Sequence, residues 1–417
     1  MAKQSGNQQK PKMNPYLLWL LIFTAAGLGI VAVAAVVINM VMPGAPPPVV
    51  VPAVAVVPSP SPSPSPPPTP SPSPTPTPAP TPDPMLGMVL SPLTGLPIPE
   101  EVEPLRPMAV IVNNHSRALP QSGLSDAELI YEVLSEGNIT RLVAVFHRLE
   151  AEMIGPVRSA RDYFVDFALD VDGVFIHHGG SPSGYARLRN LGIDRLDGMQ
   201  HETTVFWRDP ERWRVPAMRE HSSYTGAEQL EAGIARVGIR RNRRENDGMG
   251  FDFNFDELPF DRLARATGGD FRTAYELTVP FSAGYPRRFV YNPALQKFAV
   301  YNVHGAHIDK NNGEQAHVAN VLIQSVRMRT IDAEGRREVT TVGSGAGYLA
   351  TRGGIVTVRW ARDSHTTPTR WYFINGQPLQ LTPGQTWICV LHEGAVVDVV
   401  GSAPPAEDYN YLGPWID

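Results

Sequence analysis

Hydrophobic and polar positions fall into three regimes along the chain. Tyr16 to Met42 is uncharged and built mainly of Leu, Ala, Val and Ile. From about 88 to 245, short apolar runs alternate with stretches of three-to-four-residue spacing, as strands followed by helices do. From Phe251 onward the apolar positions recur every second residue, the period of half-buried strands. In the middle regime the predicted strands are Pro107–Asn113, Leu129–Leu134, Ile139–His147, Val174–His178 and Thr204–Trp207, with Glu136-Gly137-Asn138 as a hairpin turn. A helix is expected from a Ser159 cap, with Tyr163, Phe164, Phe167 and Ala168 on its buried face. Ser181-Pro182 reads as N-cap and first position of another helix, ending near Gly192. Thr225-Gly226-Ala227-Glu228 reads as a capping box for a third, running to Val237. Later strands are expected over Ala274–Phe281, Arg288–Tyr291, Phe298–Val303, Ala316–Ile331, Gly354–Trp360, Trp371–Ile374 and Gln385–Leu391. The pattern predicts a mixed-sheet α/β domain over 88–245, an all-β sandwich or barrel-like domain over 246–400, and a tail over 401–417.

Composition sharpens the beginning of the chain. Many of the 42 prolines crowd into a Pro/Ser/Thr tract from Pro43 to Pro84, so residues 43–87 are expected to form a disordered stalk. Polyproline II geometry would carry it on the order of 120 Å. Tyr16–Met42 exceeds the roughly 20 residues that cross a bilayer. Lys3, Lys10 and Lys12 precede it, which predicts residues 1–15 in the cytoplasm and a single-pass plasma-membrane protein with extracytoplasmic domains. Three of the 36 basic residues and none of the 41 acidic ones precede the apolar segment, so the remainder carries −8. An acidic body argues against nucleic acid as a partner. Cys389, the one cysteine, lies in an apolar strand pattern and reads as a buried, inert thiol.

Candidate chemistry gathers around Ile154-Gly155-Pro156-Val157-Arg158-Ser159-Ala160-Arg161-Asp162. Arg158 and Arg161, three apart on one helical turn beside Ser159 and free helix N–H groups, suit an anion. The alternative is that they pair with fold carboxylates such as Asp162, Glu132 or Glu136. His177 and His178 are adjacent in a strand and face opposite sides; His178, before Gly179-Gly180-Ser181, is better placed for a site. Asn113 and Asn114 end an earlier strand, and His221 precedes the third helix, so both could approach the same edge. His304, His307, Asp309 and His317 match no recognised metal spacing, so no metal is expected. No cofactor motif occurs, since Gly343-Ser344-Gly345-Ala346-Gly347 lies between strands and reads as a turn or bulge.

The wording of several segments resembles the YerB-like family of bacterial envelope lipoproteins. These segments are Ser91-Pro92-Leu93-Thr94-Gly95-Leu96-Pro97, Asn113-Asn114, Gln121-Ser122-Gly123-Leu124, Gly155 to Arg161, His178-Gly179-Gly180-Ser181 and Phe206-Trp207-Arg208-Asp209. Gly343-Ser344-Gly345 and Pro383 to Ile388 carry it into the second half. The resemblance implies an N-terminal domain paired with a β-rich C-terminal one. Family members often carry a lipidated cysteine near the start; none stands there, so the apolar segment is expected to serve as the anchor. The expected function is binding of an anionic envelope component: wall glycopolymer, peptidoglycan or lipid headgroup. A rival is an envelope hydrolase or transferase with His178 or His221 as base and the Arg pair stabilising an oxyanion. A third is a protein-binding scaffold, favoured if the Arg pair is buried. Histidines within reach of a hydroxyl or carboxylate beside the arginines would favour catalysis.

Overall fold

The computed structural model describes residues 85–402, apart from 245–247, 256–259, 267 and 269. The expected cytoplasmic N-terminus, the Tyr16–Met42 span, the Pro-rich tract to Pro84 and the tail beyond Ser402 lie outside the described residues.

Met108–Asn113 (β1), Leu129–Leu134 (β2) and Thr140–Phe146 (β3) are buried along their whole length. Unbroken apolar runs of this kind suit strands covered on both faces. β1 and β2 flank β3, both antiparallel to it. Val174–His177 (β4) joins β1 in parallel, and Arg195–Asp197 (β5) joins β4 likewise. Asp162–Leu169 (α1) and Pro182–Asn190 (α2) precede these two strands, and Ala227–Val237 (α3) follows.

The second half is β-rich, as the alternation predicts. Its strands are Arg272–Thr273 (β6), Glu276–Pro280 (β7), Pro286–Asn292 (β8), Lys297–Asn302 (β9), Gly305–Ala306 (β10) and His317–Val318 (β11). Asn320–Val326 (β12), Gly343–Thr351 (β13), Gly354–Arg362 (β14), Arg370–Phe373 (β15), Thr386–His392 (β16) and Asp398–Val400 (β17) follow, and among the described residues four further short strands form separate two-stranded pairs. They do not make a sandwich or barrel of their own. The division expected at 245 separates no cores, because an 11-stranded sheet crosses it in the order β6-β14-β13-β12-β16-β2-β3-β1-β4-β5, with β15 beside β14. β16 pairs in parallel with β12 on one side and with β2 on the other. A six-stranded sheet, β10-β9-β8-β7-β17 with β11 beside β9, covers one face.

Adjacent residues of β2 show the layering. Tyr131 stacks on Phe167 of α1 at 4.9 Å, on the helical face. Glu132 points the other way and takes both Nε and Nη2 of Arg287 from β8, at 2.8 and 2.9 Å. Trp387 of β16 donates its indole N–H to the same carboxylate at 3.0 Å, with Arg287 over its ring. Asn114 and Thr140 donate to the remaining oxygen sites. On the helical face Arg362 of β14 reaches across to Asp170 and the Asp166 carbonyl.

Several local expectations shift. Ser159 is not a cap: α1 begins at Asp162, and the residues before it are extended. Thr225 does not cap α3 either, since its hydroxyl donates to the Val205 carbonyl. Of the expected 204–207 strand only Trp207 pairs, in a two-residue strand with Arg208. Gly343–Gly347 is the start of β13 and not a turn. Gly345 is needed there because a Cβ would sit 2.7 Å from the Trp360 indole nitrogen. Ser181 does cap α2, accepting from the Gly184 N–H at 3.0 Å, and the helix ends at Asn190, near the expected Gly192.

Removing one member of a buried ion pair strands the other in a dry interior, at a cost of roughly 3–5 kcal/mol. Arg287→Ala is therefore expected to unfold at markedly lower urea concentration than the parent, and adding Glu132→Leu should recover part of the loss. A single variant with the parental midpoint would show that the Glu132–Arg287 contact does not hold the two halves together.

Candidate functional site

At their carboxyl ends the parallel strands β1 and β4 separate, and their ladder stops at Val110↔Ile176. The extended segment Val157–Ala160 wedges into the gap. Arg158 donates its N–H to the Ile111 carbonyl and accepts from His178 N–H, and Ala160 N–H donates to the Gly179 carbonyl. Crevices outside strand carboxyl ends, where strand order reverses, are the usual ligand positions of open α/β sheets.

This wedge brings most of the expected site residues to one edge, but it parts the two arginines. Arg161 forks onto Glu136, with Nη2 at 2.6 Å from Oε2. Arg158 reaches Glu220 instead, donating to its carbonyl at 2.9 Å and its carboxylate at 3.2 Å. Burial alone would raise Glu136, yet Arg161 and then Arg141 outweigh it and hold that carboxyl down at about 2. Arg141, which sequence reasoning missed, donates to the Ser159 carbonyl at 3.0 Å. Burial, and then the charges of Arg161 and Arg158, push its guanidinium down to about 9. Three guanidiniums thus share two carboxylates. Arg158 Nε is buried with no hydrogen-bond partner among the described residues. Its carboxylate partner is 59% exposed, while the Arg158 side chain is 23% exposed. Arg158 is the cation an incoming anion can reach. Ser159 turns its hydroxyl inward, donating to the His178 carbonyl.

The histidines lie beside this cluster, each next to a polar group. His221 Nδ1 is 2.6 Å from Asn113 Nδ2. Asn113 Oδ1 accepts from His115 N–H, so the amide NH₂ faces His221 and the imidazole proton sits on Nε2. That Nε2 lies 3.4 Å from Glu220. Burial lowers His221 to about 4 even though Glu220 opposes it, so the ring is neutral at pH 7. His115 stacks on it at 4.9 Å. Asn114 turns away and bonds Glu132 and Thr140.

His178 pairs with the Ser223 hydroxyl through Nδ1 at 2.8 Å. A nucleophile–base pair would look like this, but the proton is in the wrong place. Arg208, which can only donate, bonds His178 Nε2 at 3.1 Å, so Nδ1 carries the proton and donates to Ser223. Burial lowers His178, and the Arg208 charge adds to it. Neither His178 nor His221 has a lone pair free to take a proton from a nucleophile. Gly198 lets His178 lie there, since a Cβ would fall 2.2 Å from its Nδ1.

Arg208 also stands over the Trp213 ring at 5.1 Å, and Arg219 stands over it at 5.5 Å. The indole is 44% exposed, with Met199 and Val215 exposed in the same part of the chain. Arg208 belongs to a segment the sequence picked out. Trp213 carried no signal, since a lone Trp between charged residues reads as any amphipathic turn. His177 is buried on the opposite side, against Tyr185 and Phe175. Gly179 N–H donates to Asp197, and Gly180 pairs with Ala160. His307 lies under the sheet beside Arg287, away from this edge.

Comparison with known proteins agrees with this reading of the fold. Residues 93–240 match the family described as Protein of unknown function (DUF3048) N-terminal domain, and 277–388 match the DUF3048 C-terminal domain. A candidate lipoprotein, YerB of Bacillus subtilis (strain 168), is 30% identical over 305 residues, covering 72% of this chain and 86% of its own. The crystal structure of YerB from Bacillus subtilis superposes with a TM-score of 0.64 at 28% identity, over 74% of this chain and 99% of that one. The expected localisation, a single-pass plasma-membrane protein, is corrected here. The relative is named as a lipoprotein, and among the described residues no helix is long and apolar enough to cross a membrane. With both family segments matched in order and 30% identity across most of each chain, the protein belongs to the DUF3048, YerB-like family.

Proposed function

We propose that this chain binds an acidic glycopolymer of the cell envelope at the carboxyl ends of β1 and β4. One observation carries the reading: Arg141, Arg158 and Arg161 crowd around two carboxylates, leaving net positive charge, and Arg158 combines an unbonded Nε with an exposed carboxylate partner. A phosphate or carboxylate group would take Arg158 from Glu220, gaining a charge-assisted hydrogen bond in partly dry surroundings. Trp213 is 44% exposed with the Arg208 and Arg219 guanidiniums over its ring, a cationic aromatic patch that suits a charged polymer. The lipoprotein name of the relative agrees with an envelope setting. Glycopolymer is favoured over lipid headgroup because Arg158, Arg208 and Arg219 spread cations that suit repeated charges. The catalytic alternative draws on the His178–Ser223 contact, but it requires Arg208 to leave His178 first.

The two arginines should separate by experiment. Arg158→Ala removes a half-exposed pair worth about 0–1 kcal/mol, so the melting temperature should hardly move. Affinity for a soluble poly(glycerol phosphate) should fall roughly tenfold or more, and added salt should weaken the parent more than the variant. Trp213→Ala should also lose affinity, while Arg161→Ala should drop the melting temperature by several degrees by stranding Glu136. Unchanged polymer affinity in Arg158→Ala would sink the reading.

The histidines give a second test. Because His221 is held at about 4, below the ordinary value near 6.5, the unfolded chain takes up a proton that the folded one refuses. Stability should therefore fall as pH drops from about 6.5 toward 4, and His221→Gln should flatten that fall in thermal melts. For His178, Arg208→Ala should raise its titration midpoint by NMR, since the opposing charge is gone. A serine-directed phosphonofluoridate should leave Ser223 unlabelled; an adduct there would revive the catalytic alternative.

A further inference from the structure

The glycine-rich start of β13, part of the family resemblance, is not used by the site at β1 and β4. Its ladder with β12 ends at Gln324↔Gly347. The two chains meet again where Thr340 N–H donates to the Arg327 carbonyl. Residues 341–346 on one side therefore stand opposite only 325 and 326 on the other. Gly343–Ala346 keep their pairing to β14 along one edge. Along the other edge they have no strand partner among the described residues.

A cleft of about 720 Å³ opens at that bare edge, walled across from it by the chain leading into β17. Trp360, with its indole N–H on the Ser325 carbonyl, closes the floor. Tyr348, Val397 and Val399 supply apolar walls. Arg272 and Arg327 stand on the rim, and neither guanidinium has an ion-pair partner among the described residues. Glu393 is the one acid among the lining residues, so two cations face one anion.

Each feature selects something about the occupant. A bare strand edge with almost no side chains lets another backbone approach, which favours an extended chain adding as a strand. Alternating side chains of such a strand would meet the apolar walls on one side and the rim arginines on the other. We infer that this cleft is a second binding site, which takes an extended peptide with alternating apolar and acidic residues alongside Gly343–Ala346.

The probe is fluorescein-labelled acetyl-Val-Glu-Val-Asp-Val-Glu-Val-amide, titrated into the full chain by fluorescence anisotropy. Saturable binding is expected, with none for the same peptide carrying Lys at the acidic positions. Arg272→Ala with Arg327→Ala, and separately Ala346→Trp, which fills the cleft, should each weaken binding roughly tenfold or more. Both should keep the parental melting temperature, since all three side chains are exposed. Arg158→Ala should leave the peptide affinity unchanged, so this site and the glycopolymer site fail separately. Binding insensitive to both cleft variants would overturn the inference, as would loss in Arg158→Ala. Equal displacement by millimolar inorganic phosphate would also overturn it, leaving a plain anion site.

Discussion

Glu132 is the point through which the two halves of the chain hold each other. It sits on β2, a first-half strand, and receives Arg287 from the covering sheet and Trp387 from β16, both second-half residues. Its carboxylate also accepts from Asn114 and Thr140, so no lone pair is left to face an apolar interior unpaired. A buried ion pair contributes little net stability against a well-packed apolar alternative, but it penalises every arrangement that leaves one partner alone. Slipping β16 by one residue along β2 would turn Trp387 away from Glu132 and take its ring from under the Arg287 guanidinium. The pair therefore acts on register more than on depth of stability. Arg362, which crosses to Asp170 on the opposite face, imposes the same restriction on β14 and the end of α1.

That tie explains how much of the fold was legible. Strand positions were readable because burial writes itself into period and run length: Leu129–Leu134 is apolar on both faces apart from Glu132, and β16 reads the same way. What a linear pattern cannot carry is which strands become neighbours. The change of period near 245 reflects the half-buried strands of the covering sheet, such as β7 and β8, yet β12 and β16 beyond it are covered on both faces and lie in one sheet with β2. The signal that bore on this was the buried Glu132 itself. A charged residue inside an apolar run needs a cation from elsewhere, and it came from 155 residues away.

The candidate site was legible in its location and less so in its arrangement. Gly155 to Arg161 and His178 to Ser181 do meet, at the strand ends where such segments belong. The expectation that Arg158 and Arg161 share one helical turn failed because the first residues after Pro156 prefer to complete the sheet. Once Arg158 and Ala160 hydrogen-bond with β1 and the end of β4, the chain is extended and alternate side chains diverge. Arg161 then points toward Glu136 and Arg158 toward Glu220. Proton positions on the histidines were beyond sequence reading for a different reason. They depend on single donors, Asn113 and Arg208, that only the folded chain brings near.

The proposed binding of a polyanion by an acidic chain needs a reason why the chain's own charge would not repel the ligand. The charge outside the N-terminal lysines is −8, spread over a body far wider than the screening length of about 8 Å at physiological salt. Beyond that distance the ligand feels little of the total. Within it, what matters is the local sum, and at the wedge that sum is positive because Arg141 adds a third guanidinium to two carboxylates. The fold keeps this excess affordable by making Arg161 and Glu136 a closed pair while leaving Arg158 with an exposed, exchangeable one. Recognition at such a place depends on contact and not on long-range steering. It should therefore favour ligands that already dwell near the protein over those that must be drawn from a distance.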